Sequence, residues 1–591
     1  MQGTSVPQLG IAVLKLDNPK LTKSDNANIL YNVINWRGPI GCDVETVSLD
    51  DRTPLGAAFA IDHKTAVYFH IQSPMFPWQL LENPSNHVVF HNYQFDVEIL
   101  NRYNPNGKQV TSYLDSCIAG QLLGLPARLS ELSEILFSKP QRPISDLIGK
   151  GKDAIGMDKV PFDKVAERGC LDAIDCLEAW NAIAPHIPEK AWNLEARFMP
   201  MALDMKYRGI QIDRQKVHEH RVRFEREMQV LRSVCFDMGF NPGSTLQLGQ
   251  VMESKGITVP VKKQTGKYIL DKNTIKMFYM EIQEAQLALR YRSLQTKLTH
   301  LIKPLDEGKY LKGDMIYPNV NLNITDTGRI SRSGPATQNV TDEIKDIVVP
   351  HSSGDSNNPN VIWDWDHSQI ELRWIAFLFN VKRMKEYFDK GIDVHDGTAQ
   401  DIIDLGYGKA LGTTADTIRK NAKIVNFTMA YNLPPDLTTT GVDAASAMWK
   451  NNQIPKEAGR ILTKAYFQAY PEIYEGIKWL MDFANQNGFT YTWYGRQRRD
   501  ARLGDRNPYV REAALRALIN HPIQGSAAET MKETLWHTRG NNYFHTVHDE
   551  GLFSAPRNTT PNLQLDGHAP FTTPAKVKLG NNWKDMVEIK V

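Results

Sequence analysis

Short apolar runs separated by turn residues mark the early part of the chain. From Gly38 the sequence reads GPIGCDVETVSL, then TPLGAAFAI and TAVYFHI, a pattern that predicts a meander of strands. Two further apolar segments, VVFHNYQFDVEIL and SYLDSCIAGQLLGL, precede LSELSEILF, whose apolar spacing is helical. Strands mixed with helices up to about Pro188 predict one α/β unit. The pattern changes at Trp192, where NLEARFMPMALDMKYRG has the spacing of an amphipathic helix closed by Gly209. From Arg214 to about Leu305 long charged helices are expected, EIQEAQLALRYRSLQTKL among them. From about Asn321 onward the pattern is mixed, and the densest polar motifs fall there. The run SSGDSNNPN before Val361 reads as a turn-rich loop. No apolar stretch approaches the roughly 18 residues of a membrane-spanning helix, and no internal repeat stands out.

Composition narrows the classes. With 591 residues, 41% of them hydrophobic and 23% charged, the chain reads as globular, and disordered, collagen-like and coiled-coil proteins are excluded. That length corresponds to about four domain-sized units. Five cysteines, Cys42, Cys117, Cys170, Cys176 and Cys235, include no C-x-x-C pair, which argues against a disulfide framework or zinc site and for a reducing compartment. The opening MQGTSVPQLGIAVLKLDN lacks a basic stretch leading into a long apolar core, so no signal peptide is expected and a cytoplasmic location is. The 69 basic and 67 acidic residues leave a net +2, which taken alone weighs against a nucleic-acid-binding protein.

Asp43 and Glu45 stand two apart in a predicted strand, so both side chains leave one face. A buried acidic pair is costly unless a cation neutralises it; in isolation it reads more simply as a solvated strand edge. Asn92 and Asp96 in HNYQFD, and Asp175 in LDAID within a predicted helix, change that weighing. Together the three segments resemble the motifs of the DEDD 3′–5′ exonucleases, in the form attached to family A DNA polymerases. The resemblance implies metal-ligand roles for Asp43, Glu45, Asp96 and Asp175, and Asp115 matches a further acidic position. Members of that family carry Tyr, or His in related branches, four residues before the last Asp to orient the attacking water. Counted from Asp175 that position is Leu171, which cannot hydrogen-bond. Losing one orienting group costs on the order of 10²-fold in rate, so a weakened exonuclease is expected.

WDWDHSQIELRWIAFLF predicts a strand running into a helix with Asp366 at the junction, where an acidic N-cap is the plain explanation. Arg419, Lys423, Phe427 and Tyr431 recur every four residues in ADTIRKNAKIVNFTMAYN and so share a helix face. Two cations beside two aromatics suit a triphosphate under a packed base better than a plain amphipathic helix. HTVHDEGLF places His548, Asp549 and Glu550 in a β-like run. In this order the three strings resemble motifs A, B and C of family A DNA polymerases.

That resemblance implies that Asp366 and Asp549, with Glu550 adjacent, form a catalytic centre holding two Mg²⁺ ions, Mn²⁺ substituting, to which His367 adds its backbone carbonyl. It implies a nucleotide site of Gln369, Glu371, His395, Arg419, Lys423, Phe427 and Tyr431, with Glu371 paired to Tyr431 to exclude a ribose 2′-hydroxyl. Contacts to primer-template DNA are implied for Arg329 and Asn339 in TDTGRISRSGPATQN, for Arg516, Asn520 and Gln524 in REAALRALINHPIQGSAAETMK, and for His548. Phosphate contact is also considered for Arg498, Arg499 and Arg502. The chain departs from the family at His367, where Tyr is usual, at Asp364, where a small residue is common, and at Thr428 and Asn432, where glycines are common.

The resemblance runs from about Ile40 to the end. It implies an α/β exonuclease domain with an RNase H-like mixed sheet over residues 1–188, then an α+β right-hand polymerase module over 189–591. Within the module the thumb covers about 214–320, the palm about 189–213, 321–380 and 500–591, and the fingers about 381–499. No 5′-nuclease segment precedes the exonuclease and no long insertion interrupts the thumb, which is similar to the bacteriophage replicative members. After motif C the chain has NTTPNLQLDGHAPFTTP where the family has a helix, and its prolines make a helix poor. The implied activity is template-directed addition of deoxynucleotides to a primer 3′ end, with 3′–5′ proofreading. Its partners would be primer-template DNA, deoxynucleoside triphosphates and replisome proteins, for a monomer in the cytoplasm, the host's where the chain is phage-encoded.

Three other readings make different demands. A non-catalytic accessory subunit predicts eroded carboxylates, yet all are present. A nuclease using its second half as a DNA clamp has no need of Arg419, Lys423 and Phe427. An RNA-synthesising relative is disfavoured by Glu371 beside Tyr431. The charge objection also dissolves, since Arg496 to Arg516 holds seven Arg against three acidic residues. Metal-binding carboxylates elsewhere offset phosphate-binding cations in the sum.

Overall fold

The computed structural model describes residues 4–6, 10–17, 21–111, 113–140, 142–262, 265–452 and 454–590. The chain divides into two compact units. One comprises Met1–Leu203, Leu322–Gly328 and Trp493–Arg499; the other comprises Asp204–Asn321, Arg329–Thr492 and Asp500–Val591. This moves the expected boundary at 188/189. The helix Glu189–Arg208 stays with the first unit as far as Leu203. There Trp192 packs on Trp180 with ring centroids 5.1 Å apart, and buried Glu195 pairs with buried Arg496. The first three residues and Val591, which open and close the expected ranges, lie outside the described residues.

In the first unit the punctuated apolar runs form β1 (Thr4–Val6), β2 (Ile11–Lys15), β3 (Pro39–Thr46), β4 (Pro54–Ala60), β5 (Thr65–His70), β6 (His87–Phe90) and β7 (Tyr113–Asp115), with α1 (Lys23–Ile34) and α2 (Tyr93–Tyr103) between them. They make one mixed sheet in the order β1-β2-β5-β4-β3-β6-β7. Pairing is antiparallel from β3 through β4 to β5 and parallel from β3 through β6 to β7. The long helix α3 (Phe162–Ile183) buries Ala173, Ile174 and Leu177 in a core with Ala58, Tyr68 and Val89. Gly41 of β3 fixes the approach of that helix. A Cβ there would lie 2.2 Å from the Ala173 carbonyl oxygen, so only glycine lets α3 sit this close to the strand that carries Asp43.

The second unit is α+β. A small sheet in the order β11-β8-β10-β9 is built from β8 (Ile210–Ile212), β9 (Leu311–Lys312), β10 (Met315–Ile316) and β11 (Val348–Val349). The charged region folds as α4 (Arg214–Asp237) and α5 (Gln283–Lys297), with Phe224 and Leu294 buried. The motif-bearing region gives β12 (Asn360–His367), α6 (Ile370–Leu378), α7 (Val394–Asp404), α8 (Ala415–Tyr431), α9 (Pro508–His537), β13 (Tyr543–Val547), β14 (Glu550–Pro556), β15 (Ala575–Gly580) and β16 (Met586–Ile589). The last strands pair with β12 in an antiparallel sheet, order β13-β14-β12-β15-β16. Residues 557–574, between β14 and β15, contain no helix. No helix among the described residues is long and apolar enough to cross a membrane.

Candidate active sites

The first centre lies where α3 meets β3. Ligand-capable oxygens of Asp43, Glu45 and Asp172 all lie within 4.8 Å of one another. Asp172 thus occupies the place that the sequence reading gave to Asp175. Residues three apart on a helix differ by about 60° in direction, and the carboxylate of Asp175 is claimed instead by Lys139 at 2.7 Å and by Arg142. The water-orienting position, four residues before the last acid, shifts with it from Leu171 to Arg168. Leu171 is partly buried against the core of the first unit, so the expected weakening at Leu171 loses its basis.

Asp96 is brought behind the pair. Its Oδ1 accepts a hydrogen bond from the Val44 amide at 3.0 Å, between Asp43 and Glu45. Asp115 is fully buried, and it accepts from the Tyr93 amide at 2.6 Å and the Ile118 amide at 2.8 Å. It therefore ties together two helix starts, a structural duty. Burial, then the charge of Glu45, pushes the Asp43 carboxyl well above its ordinary range. Burial, then Asp172, raises Glu45 to about 7. Three mutually repelling carboxylates with an all-oxygen donor set suit a hard divalent cation.

The second centre is a cavity of about 890 Å³ lined by Asp366, Gln369, Glu371, His395, Arg419, Lys423, Phe427 and Asp549, with Arg329 and His548 also on its wall. Backbone geometry assembles it. Asp366 is the cross-strand neighbour of Glu550, and the His367 amide donates to the Asp549 carbonyl at 3.2 Å. Gln369 and His548 both adopt left-handed backbone, φ 58° and 50°, a conformation non-glycine residues hold only when the surroundings enforce it. These two turns sit beside Asp366 and Asp549. Burial, then Glu550 and Asp549, raises Asp366 to about 7. Burial, then Glu371, raises Asp549 to about 7. Asp364 is buried on the same strand, likewise raised to about 7 by burial and then Glu550. This donor set, too, fits hard divalent cations.

These raised values have a sign. The folded chain keeps protons that the unfolded chain loses near pH 4, so in metal-free protein their stabilising contribution is full below that pH and is lost as pH rises through about 7. At pH 8 with a chelator, Asp549→Asn should therefore stabilise the fold by on the order of 1 kcal/mol and raise the unfolding midpoint. A thermal melt reads this, and an unchanged or lower midpoint contradicts it.

On the nucleotide side, Arg419 pairs with Asp393 at 2.8 Å and Asp396 at 3.1 Å. Gln369 Nε2 donates to the same Asp393 at 3.3 Å. Asp393 caps α7 through the His395 amide at 2.8 Å. Burial lowers His395 to about 4, leaving it neutral, and its ring lies 5.8 Å from Phe427. The expected pairing of Glu371 with Tyr431 is not formed. Glu371 is ion-paired with Arg329, because a guanidinium offers a charge-assisted bond that a phenol cannot match. The Tyr431 hydroxyl is buried without a hydrogen-bond partner, and its ring packs on the core of the second unit.

His367 is 3% exposed, with Nδ1 3.3 Å from the Thr573 carbonyl and Nε2 3.0 Å from Thr534 Oγ1. The helix-free segment before β15 thus grips the motif A residue that departs from the family. That segment and the strand after it also add Asp566, Thr572 and Lys576 to the cavity wall. Sequence reasoning missed these and Asp393, although an Asp directly before a helix was visible in DVHDGTA.

Arg516, Asn520 and Gln524 share one face of α9; neither they nor Asn339 line the cavity. Arg516 donates to the Val442 carbonyl at 3.4 Å, and Asn520 Oδ1 is buried without a partner. Arg498 pairs with Asp326 at 2.6 Å, Arg499 donates to the Leu123 carbonyl at 3.1 Å, and Arg502 pairs with Asp500 at 2.6 Å. These three are engaged within the protein.

Residues 214–585 match the family model of DNA polymerase family A, and residues 20–185 match that of a 3′-5′ exonuclease. The DNA polymerase I of Rhizobium leguminosarum is 26% identical over 476 residues, 77% of this chain and 44% of the relative. That of Chloroflexus aurantiacus is 26% identical over 546 residues, 85% of this chain and 55% of the relative. The chain spans about half the length of the curated relatives it matches. Among solved structures, the POL domain of Pol1 from M. smegmatis, in complex with DNA primer-template and dNTP, shares the fold with a TM-score of 0.76 at 20% identity, covering 95% of this chain and 99% of that one.

Proposed function

The chain belongs to DNA polymerase family A and carries a 3′–5′ exonuclease domain, and on that footing we propose that it extends a primer 3′ end with deoxynucleotides along a template and removes misplaced ones by 3′–5′ hydrolysis. The observation that carries this reading is the single cavity joining Asp366 and Asp549 to Arg419, Lys423 and Phe427. Primer-template DNA and deoxynucleoside triphosphates are its proposed partners, supported by what the M. smegmatis neighbour holds.

Mg²⁺, two ions at each centre with Mn²⁺ as substitute, is the proposed cofactor. Asp366, Asp549 and the His367 carbonyl, with Glu550 adjacent, would hold it at one centre; Asp43, Glu45, Asp172 and Asp96 would hold it at the other. Bound there, such ions activate an oxygen nucleophile and offset charge on the leaving group. The chain's own groups do the rest. Arg419 exchanges Asp393 and Asp396 for triphosphate oxygens, and Lys423, one turn on, adds a second cation. Phe427 offers a face to the incoming base, and neutral His395 positions without adding charge. Arg329, Asn339, Arg516, Asn520, Gln524 and His548 contact the primer-template. A bacteriophage origin, the monomeric state, replisome partners and a cytoplasmic site belong to the same proposal; the relatives compared are bacterial.

Primer extension with the four deoxynucleotides against the four ribonucleotides tests the reading. Stepwise lengthening with the former alone is expected, and no lengthening overturns it. Glu371→Ala should erode the sugar preference by on the order of 10²-fold, because a buried carboxylate no longer rejects the 2′-hydroxyl. Unchanged discrimination would remove Glu371 from that role.

A further inference from the structure

The exonuclease centre already contains a cation of its own. Arg168 lies one helical turn before Asp172, its Nε 2.6 Å from Asp172 Oδ2, and its Nη1 donates to the Arg142 carbonyl. An i,i+4 pair on an exposed helix face is worth little. This one differs, since the Arg168 and Asp172 side chains are only 21% and 15% exposed. Asp172 also belongs to the three-carboxylate cluster with Asp43 and Glu45. The positive charge of Arg168 acts on both of those acids, opposing the rise that burial gives them. A second guanidinium, Arg142, reaches Asp172 at 3.2 Å and also binds Asp175, while Lys139 fastens Asp175 and Glu178. The acidic face of α3 is therefore pinned by the cations of Lys139 and Arg142.

We propose that Arg168 is an internal counter-cation of the exonuclease centre, holding Asp172 and shielding the Asp43–Glu45 pair, so that a divalent cation enters only by displacing it. A displaced guanidinium needs an anion, and the phosphodiester at a DNA 3′ end is the one the reaction supplies. Arg168 thereby couples the entry of cation and substrate and restrains the centre when no 3′ end is present. This inference rests on the exonuclease reading of the Asp43 site.

Mn²⁺ binding to the full chain tests it, read by the paramagnetic resonance of free Mn²⁺ in a background of Asp366→Ala and Asp549→Ala that silences the other centre. Binding abolished by Asp43→Ala reports the exonuclease site. Arg168→Gln should tighten that binding at least tenfold, and Arg168→Lys, which keeps the charge but loses the fork, should tighten it by a smaller factor. The lysine variant carries the test if the glutamine variant fails to fold. Equal or weaker Mn²⁺ binding in a folded variant overturns the counter-cation. Absence of any Asp43-dependent binding, with or without Arg168, overturns the exonuclease reading itself.

Discussion

Asp172→Ala should slow digestion of a mismatched 3′ end by on the order of 10³-fold, while Asp175→Ala leaves it within about tenfold of the parent. The two acids are three residues apart on one helix, yet only Asp172 converges on Asp43 and Glu45. Removing it takes away one of the three carboxylates that converge there. Asp175 is neutralised by Lys139 and Arg142, so its loss loosens that clasp and leaves the cluster standing. Single-turnover digestion of a labelled primer separates the outcomes. A larger effect from Asp175 would restore the register first read from the sequence and remove Asp172 from the centre.

Asp366→Ala and Asp549→Ala should each lower nucleotide insertion by at least about 10³-fold, with 3′ digestion intact in the same preparation. Both side chains line the cavity that also holds Arg419 and Lys423, and burial with neighbouring carboxylates raises both to about 7, so a bound cation would favour their ionised forms. Glu550 is the cross-strand neighbour of Asp366 and lies off the cavity wall, so Glu550→Ala should cost less, on the order of 10- to 100-fold. Rapid-quench insertion of one deoxynucleotide measures all three. Retained insertion in either Asp variant would dissolve the polymerase centre.

Much of this was legible in the sequence because local spacing suffices for it. The strands β3 to β5 are apolar runs cut by turn residues, and Arg419, Lys423 and Phe427 share a face through helical period alone. Asp366 sits near the end of one apolar strand and Asp549 in the turn between two others, and the hydrophobic character of these strands is plain. What escaped depends on groups distant in the chain. The choice of Asp172 over Asp175 rests on the rotational setting of α3, fixed by the contact of Gly41 with Ala173 and by cations more than thirty residues away. The partner of Glu371 is Arg329, 42 residues earlier, and no periodicity announces it. The unit boundary at Leu203 follows from Trp192 on Trp180 and from Glu195 with Arg496, side-chain pairings invisible in a hydropathy pattern. The family departures at His367 and in the segment after motif C looked independent in sequence, and they meet at Thr573.

Two carboxylate centres in one chain, proposed to act in opposite directions on a primer 3′ end, are best tested together. The measurement is a time course of the purified chain with a primer ending in a mismatch, its template, Mg²⁺ and all four deoxynucleotides, resolved at single-nucleotide length. The expected result is shortening past the mismatch followed by extension to the template end, with Asp172→Ala losing the first phase and Asp549→Ala losing the second. Extension directly from the mismatch with no shortened intermediate, or shortening never followed by extension, would contradict it.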